Sequence, residues 1–148
     1  MENTPIINIA FSVGRSDFHD FDRDSVTKML GLEPTVSRGY VELGNGVFKA
    51  ADWYIEIKNI AAWTIQEAID KLEALLEGRR EAALNIQRQL DVECGVAICI
   101  HCPGDDLPEL FVSPESMSFW GSMHTAIGID LYTNEADETD EDAWWEHL

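Results

Sequence analysis

Positive charge is what this chain most lacks. It has 10 Lys and Arg against 28 Asp and Glu, for a net charge of −18 at pH 7. Such a surface repels phosphate backbones and anionic lipid, so neither nucleic acid nor a membrane is expected as a partner. Long apolar runs are also missing, and nothing approaches the roughly 20 residues that span a bilayer. The opening Met1-Glu2-Asn3-Thr4-Pro5 has no cationic stretch followed by an apolar one, so no signal peptide is expected. Cysteine is scarce and odd in number: Cys94, Cys99 and Cys102. Without a signal peptide, that usage fits reduced thiols and a cytoplasmic protein. Repeats of 20–50 residues are absent, and so are a nucleophile elbow, a phosphate-cradling glycine loop and a dinucleotide fingerprint. No motif places a carboxylate pair for acid–base work, so an enzyme is not expected and no cofactor is implied.

Two clusters invite a metal reading and fail it. Cys99-Ile100-His101-Cys102 lacks a second ligand pair at a suitable spacing, and on a strand Cys99 and Cys102 would face opposite ways. Asp20, Asp22 and Asp24 alternate like the start of a calcium loop. The sixth position, however, is Ser25 where glycine is needed, and the twelfth is Gly31 where a bidentate glutamate is needed. Helix N-terminal acids explain the run, with Asp22 as N-cap.

Local patterning predicts a series of elements. Ile6 to Val13 reads as a strand. A helix over Arg23–Leu30 carries an apolar stripe of Val26, Met29 and Leu30, stopped by Gly31 and Pro34. Tyr40–Leu43 and Val47–Asn59 read as a hairpin around Asn45-Gly46, a type I′ pair. Its second arm alternates, with Trp53, Ile55 and Ile57 on the core side. Thr64-Ile65-Gln66-Glu67 is a capping box, Trp63 and Ala68 suit a staple, and Ile65, Ile69, Leu72 and Leu76 share one helical face. Gly78 breaks the helix before a second segment at Arg80–Leu90, with Ala83, Ile86 and Leu90 inward. Cys94–Cys102 is an apolar strand. Ser113 and Pro114 open a helix on which Met117, Trp120 and His124 would share a face. Ala126–Tyr132 is the last strand. The expected fold is therefore α+β: a four- to five-stranded, mostly antiparallel sheet with helices packed on it. Residues 1–134 would form one domain and residues 135–148 an acidic C-terminal tail.

The tail holds Glu135, Asp137, Glu138, Asp140, Glu141, Asp142 and Glu146, with Trp144 and Trp145 among them and no Lys or Arg. Three readings fit this stretch: a plain solubilising tail, tryptophans that dock back onto the domain's own core, and partner binding, which is favoured because solubility alone does not require two tryptophans and tryptophan is enriched at interface hot spots. The partner-binding candidates are thus Glu135, Asp137, Glu138, Asp140, Glu141, Asp142, Trp144 and Trp145.

Phe21-Asp22, Leu30-Gly31-Leu32-Glu33-Pro34-Thr35, Arg38-Gly39, Trp53, Leu72, Leu75-Leu76 and Ile127-Gly128-Ile129-Asp130-Leu131-Tyr132 together resemble a bacterial family, domain of unknown function 4279. The resemblance spans about Ile9 to Tyr132 and excludes the tail. Arg38 departs from the lysine usual there. What the resemblance implies is a small α+β bacterial domain with no catalytic residues to carry over. It is also similar in kind to the immunity proteins that accompany bacterial toxins. The functional expectation is an immunity-type protein that neutralises a basic toxin, a nuclease by charge logic. The alternatives are an acidic housekeeping or regulatory domain, and then a hydrolase whose site carries no motif.

Overall fold

A computed structural model describes residues 3–133. Strands β1 (Ile6–Gly14), β2 (Val36–Arg38), β5 (Asp52–Ala61), β6 (Glu93–Cys102) and β7 (Thr125–Thr133) form one sheet in the order β2-β5-β1-β6-β7. Every neighbouring pair is antiparallel except β6 and β7, which run parallel. Strands β3 (Val41–Gly44) and β4 (Val47–Lys49) form a separate two-stranded sheet. Four helices, α1 (Arg23–Leu30), α2 (Ile65–Leu76), α3 (Arg80–Leu90) and α4 (Pro114–Ser122), complete the described chain. The fold class is α+β, as expected.

The sheet buries one face because its strands alternate. Ile7, Ile9, Phe11 and Val13 of β1 are buried, as are Cys94, Val96, Ile98, Ile100 and Cys102 of β6. Residues between them are half-buried or exposed. The helices supply the second layer, with Ile65, Ala68, Ile69, Leu72 and Leu76 of α2 fully buried. Trp53 is fully buried, and its Nε1–H donates to Thr27 Oγ1 at 3.0 Å. That bond satisfies the indole's one donor inside the core.

Strand β5 changes parity before its end. The register with β1 slips by one residue between Ile7 and Ile9, opposite Ile57 and Ile60. Asn59 takes up the extra residue at φ 60°, and its N–H donates to Asn8 Oδ1 at 2.8 Å. The bulge lets both Ile57 and Ile60 face the core, which strict alternation forbids.

Three local expectations are corrected. The second hairpin arm is not one strand: it breaks at Ala50 and Ala51, separating β4 from β5. Strand β2 was not anticipated, because three residues on a sheet edge are too few to show a period. On α4 the buried residues are Ser116 and Trp120, with Met123 buried just beyond the helix, while Met117 is 56% exposed and His124 is exposed. The helix is short and weakly amphipathic, so its orientation follows from its links to α2.

Candidate functional site

The tail candidates Glu135, Asp137, Glu138, Asp140, Glu141, Asp142, Trp144 and Trp145 lie outside the described residues. The described domain is acidic without them, with twenty Asp and Glu against ten Lys and Arg between residues 3 and 133. The distribution is lopsided. Arg88 is the last cation, and the sixty residues after it hold fourteen Asp and Glu and no Lys or Arg. This asymmetry could have been found by splitting the charge count along the chain. Half of those fourteen acids lie in the tail and half between Asp91 and Asp130.

The acidic cluster near the first helix has local partners. Asp17 receives Arg15 Nη2 at 2.7 Å, and Asp20 faces Arg23 at 3.3 Å. The Arg15 guanidinium holds the Asp17 carboxyl down to about 2. Asp22 caps α1, accepting from Ser25 N–H at 3.0 Å and Ser25 Oγ at 2.7 Å. Those bonds lower its pKa.

A different acidic site lies between α2 and α4. A groove of about 300 Å³ is lined by Asp70, Glu73, Ala74, Glu77 and Phe119. The three acids fall at spacings of three and four, so the helical turn stacks them on one side. No described cation forms an ion pair with any of them. Glu73 lies in the last turn of α2 and Glu77 caps its end, where the helix dipole disfavours negative charge. Their placement costs the helix up to about 1 kcal/mol each.

Polar bridges hold the groove walls in place. Gln66 Nε2 donates to Asp70 Oδ1 at 2.8 Å and to Ser116 Oγ at 2.7 Å. Its Oε1 accepts from the Ser113 N–H at 2.8 Å, at the start of α4. Trp120 Nε1–H donates to Glu73 Oε2 at 3.1 Å. Trp120 is buried, so this bond anchors Glu73 at the rim, while Phe119 meets the Trp120 ring edge-on at 4.9 Å.

Arg79 and Arg80 are not a cationic patch. The Arg79 guanidinium donates to the carbonyls of Leu30 and Leu75, at the C-terminal ends of α1 and α2. It serves there as a capping charge. Arg80 pairs with Glu81 at 2.8 Å.

The cysteines are placed by strand parity. Cys94 and Cys102 face the core and Cys99 the opposite side, so Cys99 and Cys102 cannot converge on one ion. Among the described residues no group of three or more His, Cys, Asp or Glu side chains is placed to hold a metal. Burial pushes the Cys94 thiol up to about 12. Burial, helped by the charges of Asp130 and Glu56, raises Cys99. A raised thiol is a poor nucleophile at neutral pH.

A family model for a domain of unknown function (DUF4279) matches residues 8–134. The chain belongs to the DUF4279 family. No curated protein and no solved structure gives a significant match. Among the described residues, no helix is long and apolar enough to cross a membrane.

The residues that carry the DUF4279 resemblance build the fold. Leu30 is buried, and Gly31 takes φ 70° to close α1, donating its N–H to Thr27 O at 2.9 Å. Thr35 fastens the β2 edge: its N–H donates to Tyr54 O at 2.8 Å, and its Oγ1 accepts from Glu56 N–H at 2.9 Å. Arg38 pairs with Asp52 across β2 and β5 at 2.7 Å. None of these residues lines the α2–α4 groove.

Proposed function

We propose that this DUF4279 domain binds a cationic protein through the α2–α4 groove, and that it is a bacterial immunity-type inhibitor of a basic toxin, a nuclease. The observation that carries the reading is the row of Asp70, Glu73 and Glu77 beside Phe119, without a described cation to neutralise it. Nuclease sites must attract phosphate, so they are positive. Carboxylates held rigidly on a helix can stand where phosphates would lie. Such an inhibitor acts in the cytoplasm and avoids nucleic acid through like charge. The tail is proposed as an auxiliary contact. Its seven carboxylates would speed encounter, and Trp144 and Trp145 would slow release.

Affinity capture from the source cell with the full chain, read by mass spectrometry, tests this. The expected result is a basic protein whose toxicity the full chain suppresses on co-expression. Replacing Asp70→Asn, Glu73→Gln and Glu77→Gln together should weaken that complex by at least about tenfold and flatten its salt dependence. Removing residues 135–148 should mainly slow association at low salt. Capture of no cationic protein, or a complex indifferent to both changes, would overturn the proposal.

A further inference from the structure

The β3–β4 hairpin carries a second feature, at the far edge of the sheet from α4. The hairpin connects β2 to β5, the two strands at one edge, whereas α4 packs on β7 at the other. Every residue of β3 and β4 is exposed. An isolated two-stranded ribbon is marginal in water, so something must hold this one.

A line of rings does so. His19 and Tyr40 lie 4.9 Å apart, Tyr40 and Phe48 5.5 Å, and Phe48 and Phe18 5.9 Å, measured between ring centroids. Phe18 takes φ 65°, a costly conformation for a bulky residue. Two backbone bonds secure it: its N–H donates to Arg15 O at 3.0 Å, and its carbonyl accepts from Ala51 N–H at 3.2 Å. Even so, Phe18 remains 53% exposed and Phe48 43% exposed. The rings steady the hairpin without hiding themselves.

Register then sorts the charges. Glu42 is paired with Phe48, so the two side chains share a face, and Tyr40, two residues earlier, shares it too. Lys49 is paired with Val41 and lies on the opposite face. Tyr40 O–H donates to Glu42 Oε1 at 3.1 Å, and no described cation pairs with Glu42. A depression of about 210 Å³ opens here, lined by Tyr40, Glu42, Gly44, Asn45, Gly46, Val47 and Phe48. Asn45 and Gly46 both have positive φ, at 53° and 77°, so the tight turn forms its end wall from backbone and small side chains.

We infer that this depression receives an arginine side chain presented by another protein. Ring faces attract a cation, and a carboxylate beside them adds a charged acceptor. Val47 and Phe48 offer apolar surface for the methylene stem. Arginine suits the site better than lysine, because its planar guanidinium can lie on a ring while its fork meets Glu42. The inference is independent of the α2–α4 groove.

The test is a nuclear magnetic resonance titration of the isotopically labelled full chain with capped Gly-Arg-Gly, Gly-Lys-Gly and Gly-citrulline-Gly. Citrulline keeps the shape of arginine and removes its charge. The arginine peptide should give saturable shifts centred on Tyr40, Glu42 and residues 44–48. The lysine peptide should bind more weakly, and the citrulline peptide at least about tenfold more weakly. Glu42→Gln and Phe48→Leu should each reduce arginine binding by several-fold, leaving the resonances of β5 and α2 in place. Shifts equal for citrulline, absent at the hairpin up to about 50 mM peptide, or unaffected by both substitutions would overturn the inference.

Discussion

Helix α2 and the β3–β4 hairpin put similar apolar residues to opposite uses. Ile65, Ile69, Leu72 and Leu76 of α2 are 0% exposed. Val41, Leu43, Val47 and Phe48 of the hairpin are 43–56% exposed. In sequence both segments read as ordinary secondary structure that carries apolar residues. The helix lies across β1 and shares one core with it. The hairpin leaves the sheet at Gly39 and returns at Ala50, with only a rim of rings beneath it. An apolar side chain with a tertiary partner stabilises the fold by about 1.5–3 kcal/mol; one without a partner adds little, and is available for recognition.

That contrast can be broken by mutation. The largest effect should come from Trp53, in the fully covered core. Trp53→Ala is expected to cost about 3–5 kcal/mol in chemical denaturation, through lost burial and a residual cavity. A loss under about 1 kcal/mol would mean that the site collapses freely and the core is not close-packed.

Next comes alkaline pH, which probes the same core without a mutation. The Cys94 thiol is raised from 9.0 to about 12 by burial. Between those values the unfolded thiol loses its proton and the folded one keeps it, so unfolding is favoured as pH rises. The stability contribution is complete below pH 9 and lost as pH approaches 12. Denaturation midpoints at neutral and alkaline pH should therefore diverge more for the natural chain than for Cys94→Ala. An equal divergence would put the alkaline sensitivity elsewhere.

Smaller still is the cap of α4. Ser113 Oγ accepts from Ser116 N–H at 3.1 Å, and Ser113→Ala should cost about 1 kcal/mol. Because α4 forms one wall of the groove, the same change should also weaken any groove complex.

The smallest stability effect is expected on the hairpin. Leu43→Ser should stay within about 0.5 kcal/mol of the natural chain in thermal or chemical unfolding, since Leu43 is 56% exposed. A cost above 2 kcal/mol would show that the hairpin is covered in solution and would dissolve the contrast with α2.

How much could be read in advance differs between fold and site. The caps at Asp22, Thr64 and Ser113 were legible because each is a local chemical event, a side-chain oxygen meeting a backbone N–H three residues on. The core stripe of α2 was legible from its spacing. The face of α4 was not, because nine residues with little amphipathicity leave the orientation to Gln66 and Glu73 on another helix. The groove was invisible for the same reason. Asp70, Glu73 and Glu77 look like any solvated helix face until Phe119 is brought alongside. The charge asymmetry after Arg88 is legible in the sequence, because it needs only the positions of the cations.

By itself the sequence determined the sign and imbalance of charge, the α+β class, the starts of its helices and the stops of α1 and α2. Each depends on composition or on contacts within a few residues. The tertiary structure alone decided that β6 and β7 run parallel, that β5 carries a bulge at Asn59, and that one apolar set is buried while another is left in water. Those outcomes depend on which distant surfaces meet. A periodic pattern can declare that a face is apolar, but it does not name the surface that will cover it.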